Sequence, residues 1–231
     1  MYNSKNIKVR KGVFAPSTGE HHIIENQFIY RNTKNFVGDS EIAVLDSKEN
    51  VWCNRPAHAD VLCKKEDDGL YSYNFSFLGL KPDRKDLYKT NYNILVNEHS
   101  VPCVAHIKLD ETWTEEQRRF LYCMCFNCVY TTLLELGVSE QFLTKKGNDM
   151  LFNGKKFAGG EVLLTDNVYI ENILVTLQFL PEKDIFARLT GKYAHRRPIT
   201  GIADEVPSIT KEAFIDKLYE KVTAYVEEHF N

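Results

Sequence analysis

Apolar and polar positions along the chain separate into two periodicities. Tyr71, Tyr73, Phe75 and Phe77 alternate with Ser72, Asn74 and Ser76, a period of two that predicts a strand with one buried face. Shorter apolar runs predict further strands at Glu41–Leu45, Val51–Cys53, Asp60–Cys63 and Val101–Ile107. Glu161–Leu164 and Val168–Leu180 read as another pair, joined at Thr165-Asp166-Asn167 and ended by Pro181. Helical spacing appears three times. Ser17 or Thr18 caps a helix to about Tyr30, with Ile23, Ile24 and Phe28 on neighbouring faces. Thr114-Glu115-Glu116-Gln117 is a capping box, and the helix that it opens is expected to run to Leu136 with Gly137 as its C-cap. Leu121, Cys125, Cys128, Thr132 and Leu136 fall near one face of it. A last helix starts near Thr210, with Phe214, Leu218, Val222 and Tyr225 as its apolar stripe. Residues 81–89, charged and containing Pro82, read as a loop or short helix. Strands grouped around a few helices, without βαβ alternation, predict an α+β fold. The expected architecture is a mostly antiparallel or mixed sheet flanked by helices, in a single domain over 1–231.

The densest local signal lies between Gly147 and Gly160. Asn153-Gly154 between apolar residues is a strong hairpin signal, because both turn positions need positive φ. Asp149–Phe152 form one arm, and Lys155 opens the other. Side chains alternate along a strand, so Lys155 and Lys156 are expected to point to opposite faces, leaving one solvated and the other free to face a site. Gly159 and Gly160 permit close approach to the backbone, and a cation beside exposed N–H groups suits an anion. An ordinary surface hairpin with two solvated lysines fits the same residues.

Composition narrows the class. The chain has 231 residues, 43% of them hydrophobic and 12% aromatic, ample for a core. A net charge of -3 leaves no basic footprint for nucleic acid. No run of about 18 apolar residues predicts a membrane span, and the first residues lack the apolar stretch of a signal peptide. The six cysteines (Cys53, Cys63, Cys103, Cys123, Cys125 and Cys128) then read as reduced thiols of a cytoplasmic protein. Of the last three, only Cys125 and Cys128 share a helix face, which predicts core packing rather than a zinc site. His21-His22-Ile23-Ile24-Glu25 lacks the order and spacing of a zinc-binding helix.

Several segments, in the same order, resemble the lipoate–protein ligase family within the biotin/lipoate ligase fold. That family carries an Asn-Asp segment, a hairpin, then a catalytic lysine followed by small residues and glycine. The matching residues here are Gly147-Asn148-Asp149 and Lys156-Phe157-Ala158-Gly159-Gly160. Leu134-Glu135-Leu136-Gly137-Val138 is similar to the family's A-L-x-x-L-G-V. Pro198-Ile199-Thr200-Gly201-Ile202 resembles R-V-T-N-L, and Val206-Pro207-Ser208-Ile209-Thr210 resembles L-P-G-I-T. Asn74-Phe75-Ser76-Phe77 matches N-F-S-F, and Asn50-Val51-Trp52 is similar to Q-N-P-W. The resemblance spans most of the chain and is dense from about residue 115 onward.

It implies an enzyme that uses ATP and Mg²⁺ to adenylate lipoic acid, or a similar acyl carboxylate, and passes the acyl group to a lysine of a lipoyl-domain acceptor protein. Lys156 is the implied catalytic residue. Asn148, Asp149, Gly159, Gly160, Lys64, Lys65 and Gly69 are implied to bind nucleotide or acyl group, and Asp149 also Mg²⁺. Two departures stand out. The family's R-R-x-S-G-G-G-A-V-Y-H-D loop is replaced by Lys64-Lys65-Glu66-Asp67-Asp68-Gly69-Leu70-Tyr71, with one glycine and three acids, and lysine lacks arginine's planar fork. Glu171-Asn172 stands near the place of the usual His-Gly. A catalytically degenerate fold that binds an acyl-carrier domain or a nucleotide is therefore the alternative. An octanoyl transferase using a cysteine nucleophile is disfavoured, because residues 139–153 contain no cysteine. Lipoate, octanoate and biotin remain open as substrates. The chain stops soon after the last helix, so no C-terminal accessory domain is expected, and a separate accessory chain becomes a possible partner.

Overall fold

In the computed structural model, residues 6–14, 40–48, 51–55, 59–65, 71–77, 92–96, 98–164, 168–180 and 197–230 are described, the strands between 51 and 96 by their backbone pairing. Strands β1 (Lys8–Phe14), β2 (Glu41–Ser47), β7 (Ser100–Lys108), β8 (Leu143–Lys146), β9 (Asp149–Phe152), β10 (Lys155–Leu164) and β11 (Val168–Thr176) form a seven-stranded sheet in the order β1-β2-β7-β11-β10-β9-β8. Strands β3 (Val51–Arg55), β4 (Ala59–Lys65), β5 (Tyr71–Phe77) and β6 (Tyr92–Val96) form a four-stranded sheet in the order β4-β5-β3-β6. Both sheets are mixed: β1 runs parallel to β2 and β3 parallel to β5, while the other pairs are antiparallel.

The helices are α1 (Glu115–Leu121), α2 (Met124–Glu135), α3 (Ile202–Glu205) and α4 (Lys211–Phe230). α4 packs on β1, β2 and α2, and α2 also packs on β7 and β11. Strands beneath this layer have lost their alternation. Ile42, Ala43, Val44 and Leu45 of β2 and Val101, Cys103, Val104, Ala105 and Ile107 of β7 are all buried, the pattern of a strand covered on both faces. Pro102 sits within β7 just past Cys103, where pairing with β2 ends, so its missing N–H falls where the ladder on that side has stopped. Phe214, Leu218 and Val222 of α4 are fully buried as the apolar stripe requires, and Tyr225 is half-buried, its hydroxyl donating to the Phe120 carbonyl at 2.7 Å. No helix among the described residues is long and apolar enough to cross a membrane. The helix expected over 17–30 and the loop over 81–89 lie outside the described residues.

One expectation is corrected. The capping box forms as read, with Thr114 Oγ1 accepting from Gln117 N and Gln117 Oε1 accepting from Thr114 N, both at 3.1 Å. The helix that it opens is broken, however. Cys123 adopts a left-handed conformation (φ 60°), so α1 ends and α2 begins anew. An unbroken helix would bond the amides of Cys125 and Phe126 to the preceding turn. The break frees them, and Glu171 of β11 fills the role of an N-cap side chain from across the layer. Cys125 N donates to Glu171 Oε2 at 2.7 Å and Phe126 N to Oε1 at 3.0 Å. The Tyr169 hydroxyl donates to Oε2 at 2.5 Å. Helix polarity favours an anion here, but Glu171 is fully buried, and desolvation outweighs the hydrogen bonds and holds its carboxyl above the usual range. Around it, Cys103, Cys125 and Cys128 pack as core side chains. Hydrogen bonding with Cys103 and burial raise the Cys125 thiol, and burial raises that of Cys128.

Because the folded pKa of Glu171 lies above its unfolded value, the stability linked to its protonation is complete below pH 4.5 and is lost as pH rises through the folded pKa. The melting temperature of wild type relative to Glu171→Gln should therefore fall as pH rises from 4.5 towards neutrality. Thermal melts in a pH series measure this, and a pH-independent difference would contradict the burial argument.

Candidate functional site

The site is built on the hairpin of β9 and β10. Asn153 (φ 48°) and Gly154 (φ 80°) supply the two positive φ values of a tight primed turn. Pairing begins as Lys155 with Phe152 and Lys156 with Leu151, then shifts, so that Ala158 meets Met150 and Gly159 meets Asp149. Phe157 is the extra residue of a β-bulge, a device that re-aims neighbouring side chains. Phe157 and Ala158 are both buried, while Lys156 remains half-buried. The two lysines part company: Lys155 Nζ pairs with Glu205 Oε1 at 2.7 Å, and Lys156 Nζ with Asp149 Oδ1 at 2.7 Å.

Lys156 precedes the point where β11 takes up pairing with β10 at Ala158. Its backbone is satisfied instead by the segment before α3. Lys156 N donates to the Pro198 carbonyl at 2.7 Å, and Thr200 N donates to the Lys156 carbonyl at 2.9 Å. That segment is anchored further by Thr200 Oγ1, which donates to Glu205 Oε1 at 2.8 Å. Pairing with Lys155 and the Thr200 hydroxyl holds the Glu205 carboxyl below its ordinary range. Gly201 fits where any side chain would collide: a Cβ there would come within 2.2 Å of the Leu177 carbonyl oxygen.

This pinning delivers Arg197 to the hairpin. Its Nη1 lies 2.6 Å from Asp149 Oδ2, so one carboxylate carries Lys156 on one oxygen and Arg197 on the other. Gly159 forms the floor. A Cβ at this position would stand 2.8 Å from Lys156 Nζ and 3.1 Å from Asp149 Oδ1, so the ammonium lies directly over the bare backbone. Asn148 occupies the turn before β9, and its carbonyl accepts from Gly160 N at 2.8 Å.

Lys156, Asp149, Gly159, Gly160 and Asn148 thus come together. Lys64 and Lys65 lie on β4, where their backbones pair with Ser72 and Tyr71; Gly69 lies outside the described residues. Arg197 is the residue that sequence reasoning did not single out. Its available signal is position, immediately before Pro198–Ile202 and within the basic run His195-Arg196-Arg197. Glu171, near the expected His-Gly, points into the core towards α2. The residues do not fit Mg²⁺ on Asp149. Both carboxylate oxygens already carry a cation, and a divalent ion would have to displace one and sit against the other. Among the described residues no cluster of three or more His, Cys, Asp or Glu is arranged to hold a metal ion.

No protein-family model matches the sequence, and no curated protein matches it. Solved structures do match. A bipartite lipoate protein ligase from Thermoplasma acidophilum, studied with its E2 lipoyl domain, superposes with a TM-score of 0.58 at 11% identity, over 96% of this chain and 85% of that one. Lipoate-protein ligase A bound with ATP gives 0.57 at 9% identity, with the same coverage. LipL1 of P. falciparum, in complex with lipoate, gives 0.57 at 12% identity over 96% of this chain, which spans 63% of the Plasmodium protein. At these identities the likeness establishes the fold: a mixed sheet flanked by helices, as in the lipoate–protein ligases.

The contact over Gly159 predicts energetic coupling. Gly159→Ala should destabilise wild type by about 1 kcal/mol by displacing the lysine, and should be close to neutral in a Lys156→Ala background. Denaturant unfolding of the four proteins measures the coupling. Equal effects in both backgrounds would mean that Lys156 does not occupy the space over Gly159.

Proposed function

We propose that this protein is a lipoate–protein ligase-like enzyme that adenylates lipoate, or a similar acyl carboxylate, with ATP and transfers the acyl group to a lysine of a lipoyl-domain acceptor. The single observation that carries this reading is Lys156 seated over Gly159 on the bulged hairpin, in a chain with the lipoate-ligase fold. In the first step a carboxylate oxygen attacks the α-phosphorus of ATP, the bond to the bridging oxygen breaks, and pyrophosphate leaves. Two anions must approach one another. A half-buried lysine between them offsets their repulsion and stabilises the charge that develops on the phosphoryl oxygens. Gly159, without a side chain, lets Lys156 lie against the strand, and Asn148 sits in the turn beside it, its carbonyl accepting from Gly160 N. In the second step the acceptor's neutral ε-amine attacks the acyl carbon, the C–O bond to the phosphate breaks, AMP leaves with the bonding electrons, and the amine nitrogen releases one proton to solvent.

The bipartite Thermoplasma ligase supports a division of labour in which this chain acts with a separate accessory chain. Buried free thiols at Cys103, Cys125 and Cys128 support a cytoplasmic setting. The acidic stretch from Glu66 to Asp68 favours a second reading, a ligase fold that binds acyl-carrier domains or nucleotides without chemistry.

ATP–pyrophosphate exchange, run separately with lipoate, octanoate and biotin, decides between them. Exchange is expected with at least one acid, falling by about a hundredfold or more in Lys156→Ala with the fold retained by circular dichroism. A folded Lys156→Ala protein with full exchange removes the proposed role of the lysine. No exchange with any acid, together with binding to a lipoyl domain, selects the second reading.

A further inference from the structure

The bridging of Lys156 and Arg197 by one carboxylate goes beyond the role implied for Asp149. A residue that receives a nucleotide or a metal is expected to present free oxygens, yet here both are engaged, at 2.7 and 2.6 Å. The three side chains are 36%, 27% and 30% exposed for Lys156, Asp149 and Arg197, open enough to meet a ligand and covered enough for their charges to be felt. The group carries two positive charges against one negative. Lys156 and Arg197 retain N–H donors beyond those used on Asp149, and guanidinium geometry suits a phosphate as well as a carboxylate.

We propose that Asp149 is an internal counter-anion, which pre-aligns Lys156 and Arg197 and competes for them with the phosphate of the ligand, and that Arg197 is the site's second anion-binding residue. Position supports this independently of charge. The neighbouring backbone at 198–200 is hydrogen-bonded to Lys156, and Thr200 and Lys155 converge on Glu205. Arg197 is therefore tied by its own chain to the lysine that it accompanies. Asp149 stands opposite Gly159 in the β9–β10 register, and the space that a side chain at 159 would take is filled by Lys156 Nζ and Asp149 Oδ1, which holds the pair against the strand at the site. A phosphate arriving there gains two charge-assisted partners as Asp149 gives them up, with no metal ion on Asp149.

The inference rests on reading the site as a binder of anionic ligands, and it reverses the expected sign for Asp149. A nucleotide or metal ligand should lose affinity on neutralisation, whereas a competing counter-anion should raise it. The test is calorimetric titration of the full chain with AMP and, separately, with inorganic pyrophosphate, in buffer containing EDTA. Asp149→Asn should bind both about two- to tenfold more tightly than wild type. Arg197→Gln should bind about tenfold more weakly, with partial recovery in Arg197→Lys. Asp149→Ser, expected to behave as Asp149→Asn, keeps the test open if the asparagine variant does not fold. Unchanged or weaker binding in the folded Asp149 variants overturns the proposal, as does failure of both anions to bind any of the proteins. Tighter pyrophosphate binding in the Asp149 variants, with no AMP binding in any of the proteins, supports the counter-anion while removing the adenylating function.

Discussion

The carboxyl group of Glu171 joins the helix layer to the seven-stranded sheet. It leaves the centre of β11, enters a space with no access to solvent, and accepts hydrogen bonds from two backbone amides of α2 and from Tyr169. Those amides are available because the chain turns through a left-handed residue at Cys123. The buried carboxyl group and the helix break therefore require one another. Without the break the carboxyl group would be buried without amide donors, and without the carboxyl group the start of α2 would be buried with unsatisfied amides. Because β11 lies between β7 and β10, the same contact positions the helix layer over the strand next to the hairpin.

The hairpin departs from regular geometry at the place where chemistry is proposed. A regular ladder would have continued past Lys156 unchanged. The bulge at Phe157 sets Gly159 across from Asp149 and places the lysine over the glycine. The lysine's backbone then recruits 198–200, which brings a guanidinium to the same carboxylate. Two cations more than forty positions apart in the chain are brought together by main-chain hydrogen bonds rather than by attraction between their side chains.

Legibility in the sequence follows the range of the interactions involved. The Asn153-Gly154 turn, the capping box at Thr114, the alternation of β5 and the stripe of α4 were all readable, since each is set by residues a few positions apart. The strands Lys8–Phe14, Tyr92–Val96 and Leu143–Lys146 were not identified. The first and last are edge strands of the large sheet and β6 is an edge of the small one, so each is paired with a neighbour on one side only. The helix expected from Thr114 to Leu136 contains no glycine or proline to mark its interruption. Its break answers to Glu171, 46 residues beyond Cys125.

By itself the sequence determined that the chain is α+β, that a tight hairpin presents two lysines, and that these lysines diverge, because turn chemistry and strand alternation are local. Only the tertiary structure decided that Lys156 lies over Gly159, that Arg197 shares its carboxylate, and that Glu171 faces the core. Each of these depends on sheet order, on a shift in register and on the path of a distant segment, and a one-residue change in register would have placed the same side chains elsewhere.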